Sequence, residues 1–311
     1  MSTLAVLMRA PQQLELKRLA LTPPGSGDVV VDIAYSGIST GTERLLWTGK
    51  MPSFPGMGYP LVPGYESVGT VVDAGAASTM RAGDKVFVPG ARCFGDVRGL
   101  FGGAASRVVI PGEKAIRIDS TLSESGVLLA LAATAQHALG DGNAPELIVG
   151  HGVLGRLIAR LVIANGSDAP VVWETNADRR SGAEGYDVVD PETDVRRDYK
   201  TICDVSGDAS ILDTLIGRLA RGGEIILAGF YSDRVAFDFP PAFMREARIR
   251  AAAEWKPQDL EHVLNAISDG RLSLDGLITH RSAAAEADNA YRVAFGDPAC
   301  LKMVLDWRNI Q

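Results

Sequence analysis

A chain of 311 residues is long for one hydrophobic core and comfortable for two, because single cores stop growing at roughly 250–300 residues. With 46% hydrophobic and 22% charged residues the composition is that of an ordinary globular protein, which excludes global disorder. A net charge of −7 with scattered lysines and arginines offers no electrostatic footprint for a phosphate backbone and argues against a nucleic acid partner.

The most apolar stretch, residues 127–139, contains Thr134, Gln136 and His137. It falls short of the roughly 18 uninterrupted apolar residues of a spanning helix, so no transmembrane segment is expected. Residues 1–9 lack the basic region and apolar core of a signal peptide. The expectation is a cytoplasmic protein, one compatible with docking at a membrane surface. The three cysteines, Cys93, Cys203 and Cys300, lie too far apart in sequence for a cysteine knuckle, and their odd number fits reduced thiols.

From residue 4 to about 118 the signals are short strands, LAVLM, LELKRLAL, VVVDIAY, VGTVV, KVFVP and SRVVIP, separated by turn pairs such as Pro23-Pro24 and Pro111-Gly112. They predict a β-rich lobe. Residues 51–63 form its one long irregular loop, and such loops are often functional. From Ser123 the period changes. SESGVLLALAATAQHAL fills a helix, and LIVGHGVLGRLIARLVIANG runs strand, glycine turn, helix. VVWE, YDVV, TICDVSG, a helix over ILDTLIGRLARGG and the strand EIILAGF continue the alternation, which predicts a doubly wound parallel sheet. After Leu272 come a helix over AAAEADNAYRVAFG and a strand LKMVLDW, which either extends the second lobe or returns to the first.

Gly150-His151-Gly152-Val153-Leu154-Gly155 matches G-x-G-x-x-G between a strand and a helix. The first glycine permits the tight turn, the second a close approach to a pyrophosphate, and the third close packing of helix on strand. The helix N-terminus then presents unpaired N–H groups to the phosphates. The next strand ends in Glu174, where the motif calls for an acid on the ribose hydroxyls, and that carboxylate would repel an NADP 2′-phosphate. NAD is the expected cofactor. Arg179 and Arg180 follow closely, as phosphate ligands or as solvated charges. His151 lines the turn and is a phosphate contact or a structural residue.

Over its whole length the sequence resembles the medium-chain dehydrogenase/reductase family. The resemblance rests on VVVDIAYSGIS, VPGYESVGTVVDAG, GDKVFVP, FGGAASRVVIP, TAQHAL, the glycine turn, DVSG, ARGGEIILAGF and LITHR in that order. It implies an α/β plus β architecture: a GroES-like β-rich catalytic domain over 1–122 and 272–311, with an inserted Rossmann NAD-binding domain over 123–271. It also implies that Thr134, Ser206 and Gly229 join the glycine turn and Glu174 at the cofactor. The runs SGISTGTERLLWTGKMPSFPGMGYPLVPGYESVG, LFGGAASR and LLALAATAQHAL resemble a branch that oxidises the 1-hydroxyethyl group of a chlorin or bacteriochlorin to acetyl in bacteriochlorophyll biosynthesis. A tetrapyrrole substrate is therefore expected. A homodimer and contacts with other pigment-synthesis enzymes are compatible with the sequence and not required by it.

Zinc-dependent members carry a cysteine ligand where this chain has Ser39 and a histidine where it has Tyr65, and nothing near Ala130 supplies another cysteine. No metal site is expected from such residues. Hydroxyls of Ser39, Thr42 and Tyr65 are then the candidates to stabilise a developing oxyanion, with Glu43 or Glu66 as proton acceptor. The alternative is structural: Ser39 and Thr42 capping a helix, Glu66 in a buried ion pair. His137 is a further catalytic candidate or a core residue. Trp47, Met51, Phe54, Met57 and Tyr59 offer an apolar surface suited to a flat pigment, or simply pack the loop. Two rival functions stand beside this one. A zinc-less quinone or enone reductase using NADPH fits Glu174 poorly, and a non-catalytic dinucleotide-binding sensor or scaffold leaves the cleft motifs unexplained.

Overall fold

The computed structural model describes residues 1–140 and 142–310 and divides into two compact units, Met1–Ala130 with the chain from Leu277 onward, and Leu131–Gly276. The first unit is built on two sheets. One orders its strands Gln13–Ala20, Ser2–Ala10, Leu61–Val62, Arg98–Gly99. The other runs His280–Ala283, Met303–Asp306, Asp28–Ile38, Ser67–Ala74, Lys85–Val88, Ile116–Arg117, with Arg107–Pro111 also paired to Asp28–Ile38. Val29, Val30 and Val31 are all buried, so this strand is covered on both faces, which explains why its sequence is continuously apolar rather than alternating.

The closing strand returns to the first unit. Met303–Asp306 pairs antiparallel with Asp28–Ile38, Met303 opposite Ile38, and brings Leu305 and Trp307 into the same core as Val6, Met8 and Val31. The Trp307 indole, 1% exposed, donates to Ser36 Oγ at 2.9 Å. Truncating such a residue costs roughly 3–5 kcal/mol, enough to hold the chain's last segment in place.

The second unit is a six-stranded parallel sheet in the order Asp187–Val189, Val171–Trp173, Leu147–Val149, Tyr199–Asp204, Leu219–Leu227, Arg248–Ala251. The chain winds outward in both directions from Leu147–Val149 and Tyr199–Asp204. Ligands of such sheets bind beyond the carboxyl ends of the strands at that switch point.

Two elements differ from their sequence reading. The helix expected from residue 123 begins as α-helix only at Leu129, because Ser120–Leu128 is 3₁₀ and is broken at Ser123, where φ is 40°. The helix expected over ILDTLIGRLARGG is confined to Leu212–Arg218. Leu219 is already extended and pairs with Tyr199, and a bulge after this pair takes up the ARGG segment, with Gly222 left-handed at φ 72°. Glycine destabilises a helix interior and accommodates such a bulge. Among the described residues no helix is long and apolar enough to cross a membrane.

Candidate active site

In the first unit the chain leaves the strand Asp28–Ile38 at Ser39 and enters the short helix Thr42–Thr48. Gly64, left-handed at φ 101°, turns the chain so tightly against residue 104 that a Cβ would lie 2.7 Å from the Ala104 nitrogen. The turn delivers Tyr65 and Glu66 to the end of that strand, where the Gly37 N–H donates to the Glu66 carbonyl at 2.7 Å. Ser39 Oγ and the Tyr65 hydroxyl then share a hydrogen bond of 2.7 Å, and Thr42 also interacts with this phenol. Burial and the nearby Glu66 carboxylate hold the Tyr65 pKa well above the ordinary phenol value, so it remains a proton donor. Its ring is set edge-on against Phe101, centroids 5.4 Å apart.

Two buried acids flank this pair. Glu43 Oε1 accepts the Ser39 N–H at 3.3 Å and Oε2 accepts the Tyr291 hydroxyl at 2.6 Å. Burial pushes the Glu43 carboxyl up to about 8, with the Tyr291 hydrogen bond opposing it. Glu66 Oε2 accepts from Lys302 Nζ at 2.6 Å, and the side chains are 0% and 1% exposed. Lys302 also donates to the Ile38 carbonyl at 3.3 Å. Burial raises the Glu66 pKa and Lys302 pulls it back. Among the described residues Glu66 Oε1 has no hydrogen-bond partner. Gly37 makes the arrangement sterically feasible, since a Cβ there would stand 2.4 Å from Glu66 Oε2.

The helix-capping alternative fails. The cap of Thr42–Thr48 is Gly41, with no side-chain cap, and Thr42 is already helical. The ion-pair alternative for Glu66 describes what is present. Of the five loop residues, Trp47 is a core side chain, 7% exposed and stacked near Tyr291 and Phe295, so it offers no surface to a ligand. Tyr59 is turned inward, its hydroxyl donating to the Leu46 carbonyl, and Met51 and Met57 pack against the core. Phe54, 39% exposed, is the one that faces solvent. The apolar surface is therefore smaller than the sequence suggests, because the loop spends its large side chains on its own packing. Lys302 and Tyr291 were invisible as site residues. The only signal was a lysine inside the apolar run LKMVLDW.

In the second unit the strand Leu147–Val149 turns into the helix Val153–Ala164 through Gly150, left-handed at φ 104°. A Cβ on Gly155 would lie 1.9 Å from the Gly150 carbonyl oxygen, whereas one on Gly152 would meet nothing within 4 Å. The second glycine thus faces open space, and the helix start, capped by no side chain, presents its N–H groups there. Val153 is buried, so it can contribute only backbone, and Leu154 is half-buried. The Glu174 carboxylate is held at the strand end by the N–H groups of His151, at 3.2 Å, and Asn176, at 2.8 Å.

Arg180 is committed elsewhere, to the Glu174 and Thr175 carbonyls and to Asp190. His151 is wholly buried. Its Nδ1 lies 2.7 Å from the Arg179 carbonyl, which can only accept, so the proton sits on Nδ1 and Nε2 accepts from the Tyr186 hydroxyl at 2.9 Å. Burial lowers its pKa to about 4, so it is neutral and structural. Gly150, Ser206 and Gly229 converge beyond the strand ends: a Cβ on Gly150 would touch Ser206, and one on Gly229 would touch Gly207. Asp204 underpins this convergence, accepting from the Ser206 N–H at 2.9 Å and the Tyr231 hydroxyl at 2.6 Å. Thr134 is half-buried on the helix Leu129–Leu139. On the same helix His137 pairs through Nδ1 with Asp259 at 2.8 Å. That carboxylate also accepts the Lys256 N–H at the start of Pro257–Ser268, so His137 ties two helix ends together.

A doubly wound parallel sheet with a glycine turn, in one chain with a β-rich unit, is the build of a dehydrogenase, and residues 25–120 match the alcohol dehydrogenase GroES-like domain. The chain belongs to the medium-chain dehydrogenase/reductase family. It is 58% identical to the 2-desacetyl-2-hydroxyethyl bacteriochlorophyllide A dehydrogenase of Cereibacter sphaeroides and 59% identical to that of Rhodobacter capsulatus, each match covering 99% of both chains. Among solved structures, an alcohol dehydrogenase of Escherichia coli CFT073 complexed with NADH has the same fold at 20% identity. Its TM-score is 0.84, with 98% of this chain and 99% of that one covered.

Proposed function

We propose that the chain oxidises the 1-hydroxyethyl group of a chlorin or bacteriochlorin to acetyl, with NAD as acceptor, in bacteriochlorophyll biosynthesis. The observation that carries this reading is the identity of 58–59% across 99% of two relatives named for that activity. The first unit supplies the catalytic groups and the second holds the dinucleotide. NADH in the solved neighbour supports a nicotinamide cofactor, and the choice of NAD rests on Glu174, which two backbone N–H groups fix where it would meet a 2′-phosphate. With Arg180 tied to carbonyls and Asp190, the reading of that residue as a phosphate ligand loses support. This also weighs against the NADPH-dependent reductase.

The donor set does not fit catalytic zinc. Ser39 and Tyr65 are neutral hydroxyls bonded to each other and Glu66 is engaged by Lys302, whereas such a site needs thiolate and imidazole. In our reading the Tyr65 hydroxyl, with Ser39 and Thr42 behind it, donates to the carbinol oxygen as negative charge develops there. A preorganised donor of this kind is worth roughly 3–4 kcal/mol. With nicotinamide bound, the hydrogen of the carbinol C–H would leave as hydride to it and the O–H proton would be released to water, leaving the ketone. Because the carbinol is attached to a conjugated macrocycle, its ketone is conjugated, which eases the step in the absence of a Lewis acid. The test is turnover of a hydroxyethyl-bacteriochlorophyllide with NAD, followed by NADH formation, before and after chelation. Turnover that persists in zinc-free protein supports the reading. Failure to oxidise the pigment, or activity lost together with a full equivalent of zinc, overturns it.

A further inference from the structure

Arg156 lies in the first turn of the helix that follows the glycine turn, and it is 5% exposed. Its Nε donates to the His151 carbonyl at 3.1 Å, one terminal nitrogen to Gly182 at 2.9 Å, and the other to Arg179 at 3.1 Å and Ser181 at 2.8 Å. All four acceptors are backbone carbonyls and none is a carboxylate. A buried guanidinium is costly relative to an apolar side chain of similar volume, so bulk alone does not account for it. The acceptors fall in two segments far apart in sequence, the glycine turn and the stretch beyond Glu174. The second has been shaped around the guanidinium: Gly182 is left-handed at φ 78°, and a Cβ there would stand 2.6 Å from the Arg156 nitrogen.

We infer that Arg156 is a positioning residue for the pyrophosphate and adenosine half of the dinucleotide, a role that rests on the cofactor reading above. The reason lies in the planarity of the peptide. In a trans peptide the carbonyl of one residue and the N–H of the next point in opposite directions. Holding the His151 carbonyl against Arg156 therefore turns the Gly152 N–H the other way, away from the guanidinium. The three remaining bonds fix residues 179–182 behind the strand end that carries Glu174. One planar fork thus sets the phosphate-facing turn and the ribose-facing acid relative to each other, a task its geometry suits and an ammonium cannot perform.

Isothermal titration of the full chain with NAD and with ADP-ribose, together with steady-state kinetics, tests this on R156K and R156M. Both variants should bind NAD and ADP-ribose about tenfold or more weakly while kcat at saturating NAD stays within about twofold, because the loss falls on uniform binding. Gly182→Ala should move both affinities the same way by pressing on the guanidinium. A residue that only stabilised the fold would lower the melting temperature and leave these affinities unchanged. That result in R156K, which retains charge and length and keeps the test alive where R156M does not fold, overturns the inference. If the unmodified protein binds neither NAD nor NADP, the cofactor reading itself falls, and the inference with it.

Discussion

The two candidate sites are made of different material. In our reading the working atoms of the dinucleotide unit are mostly backbone N–H groups of the helix start, residues 152–155, and the side chains around them serve to aim the backbone. In the β-rich unit they are the proposed side-chain hydroxyls of residues 39, 42 and 65, flanked by acids at 43 and 66 whose partners, Tyr291 and Lys302, arrive from the far end of the chain. A site built from contiguous backbone tolerates change at everything except its glycines and its clamps. One built from convergent buried side chains is exposed to the loss of any partner, because an orphaned buried charge costs more than the pair contributed.

The comparison predicts its largest effect at Lys302. Lys302→Met should lower stability by about 3–5 kcal/mol in urea denaturation by stranding Glu66, and the double variant Glu66→Gln/Lys302→Met should recover most of it. An unchanged midpoint in the single variant would mean that the pair is not the keystone of that unit. Tyr65→Phe comes next and should reduce kcat about 10²-fold or more with NAD affinity nearly unchanged, since the lost bond belongs to the transition state. Near-normal turnover in Tyr65→Phe, Ser39→Ala and Thr42→Val alike would move the chemistry to Glu66 or His137.

Smaller changes are expected where the backbone does the work. Glu174→Ala should narrow the preference for NAD over NADP by about tenfold in competitive binding, while the glycine turn keeps both bound. Equal affinities in the unmodified protein would contradict the role given to that carboxylate. The mildest effect concerns pH. Glu43 has a folded-state pKa of about 8 against an ordinary value of 4.5, so between these values the folded state holds the extra proton. Its contribution to stability is therefore complete below about 4.5 and is lost as pH rises through about 8. Melting temperature should fall across that window, and Glu43→Gln should flatten the slope. A slope that survives the substitution would assign it to other groups.

Much of the fold was legible because its signals are local. Alternating apolar runs, turn pairs and the change of period at residue 123 predict a β-rich part followed by strands and helices in alternation. GHGVLG with Glu174 marks the candidate dinucleotide site, since glycine spacing constrains the backbone directly. Where local signals compete, the reading slipped. ARGG lengthened a helix on paper, yet Leu219 pairs with Tyr199 and the glycines relieve a bulge. Trp47 looked like binding surface because residue type carries no information about which way a ring faces.

By itself, then, the amino-acid sequence determined the family and the glycine turn between strand and helix, and it nominated the hydroxyls of Ser39, Thr42 and Tyr65 as candidates. Tertiary structure alone decided that LKMVLDW returns to the β-rich unit, that Lys302 neutralises Glu66 from 236 residues away, and that Arg156 binds the glycine turn to residues 179–182. The physical reason is the range of the interactions. Backbone conformation responds to neighbouring residues, whereas the pairing of a buried charge depends on whatever the completed core places within about 3 Å of it.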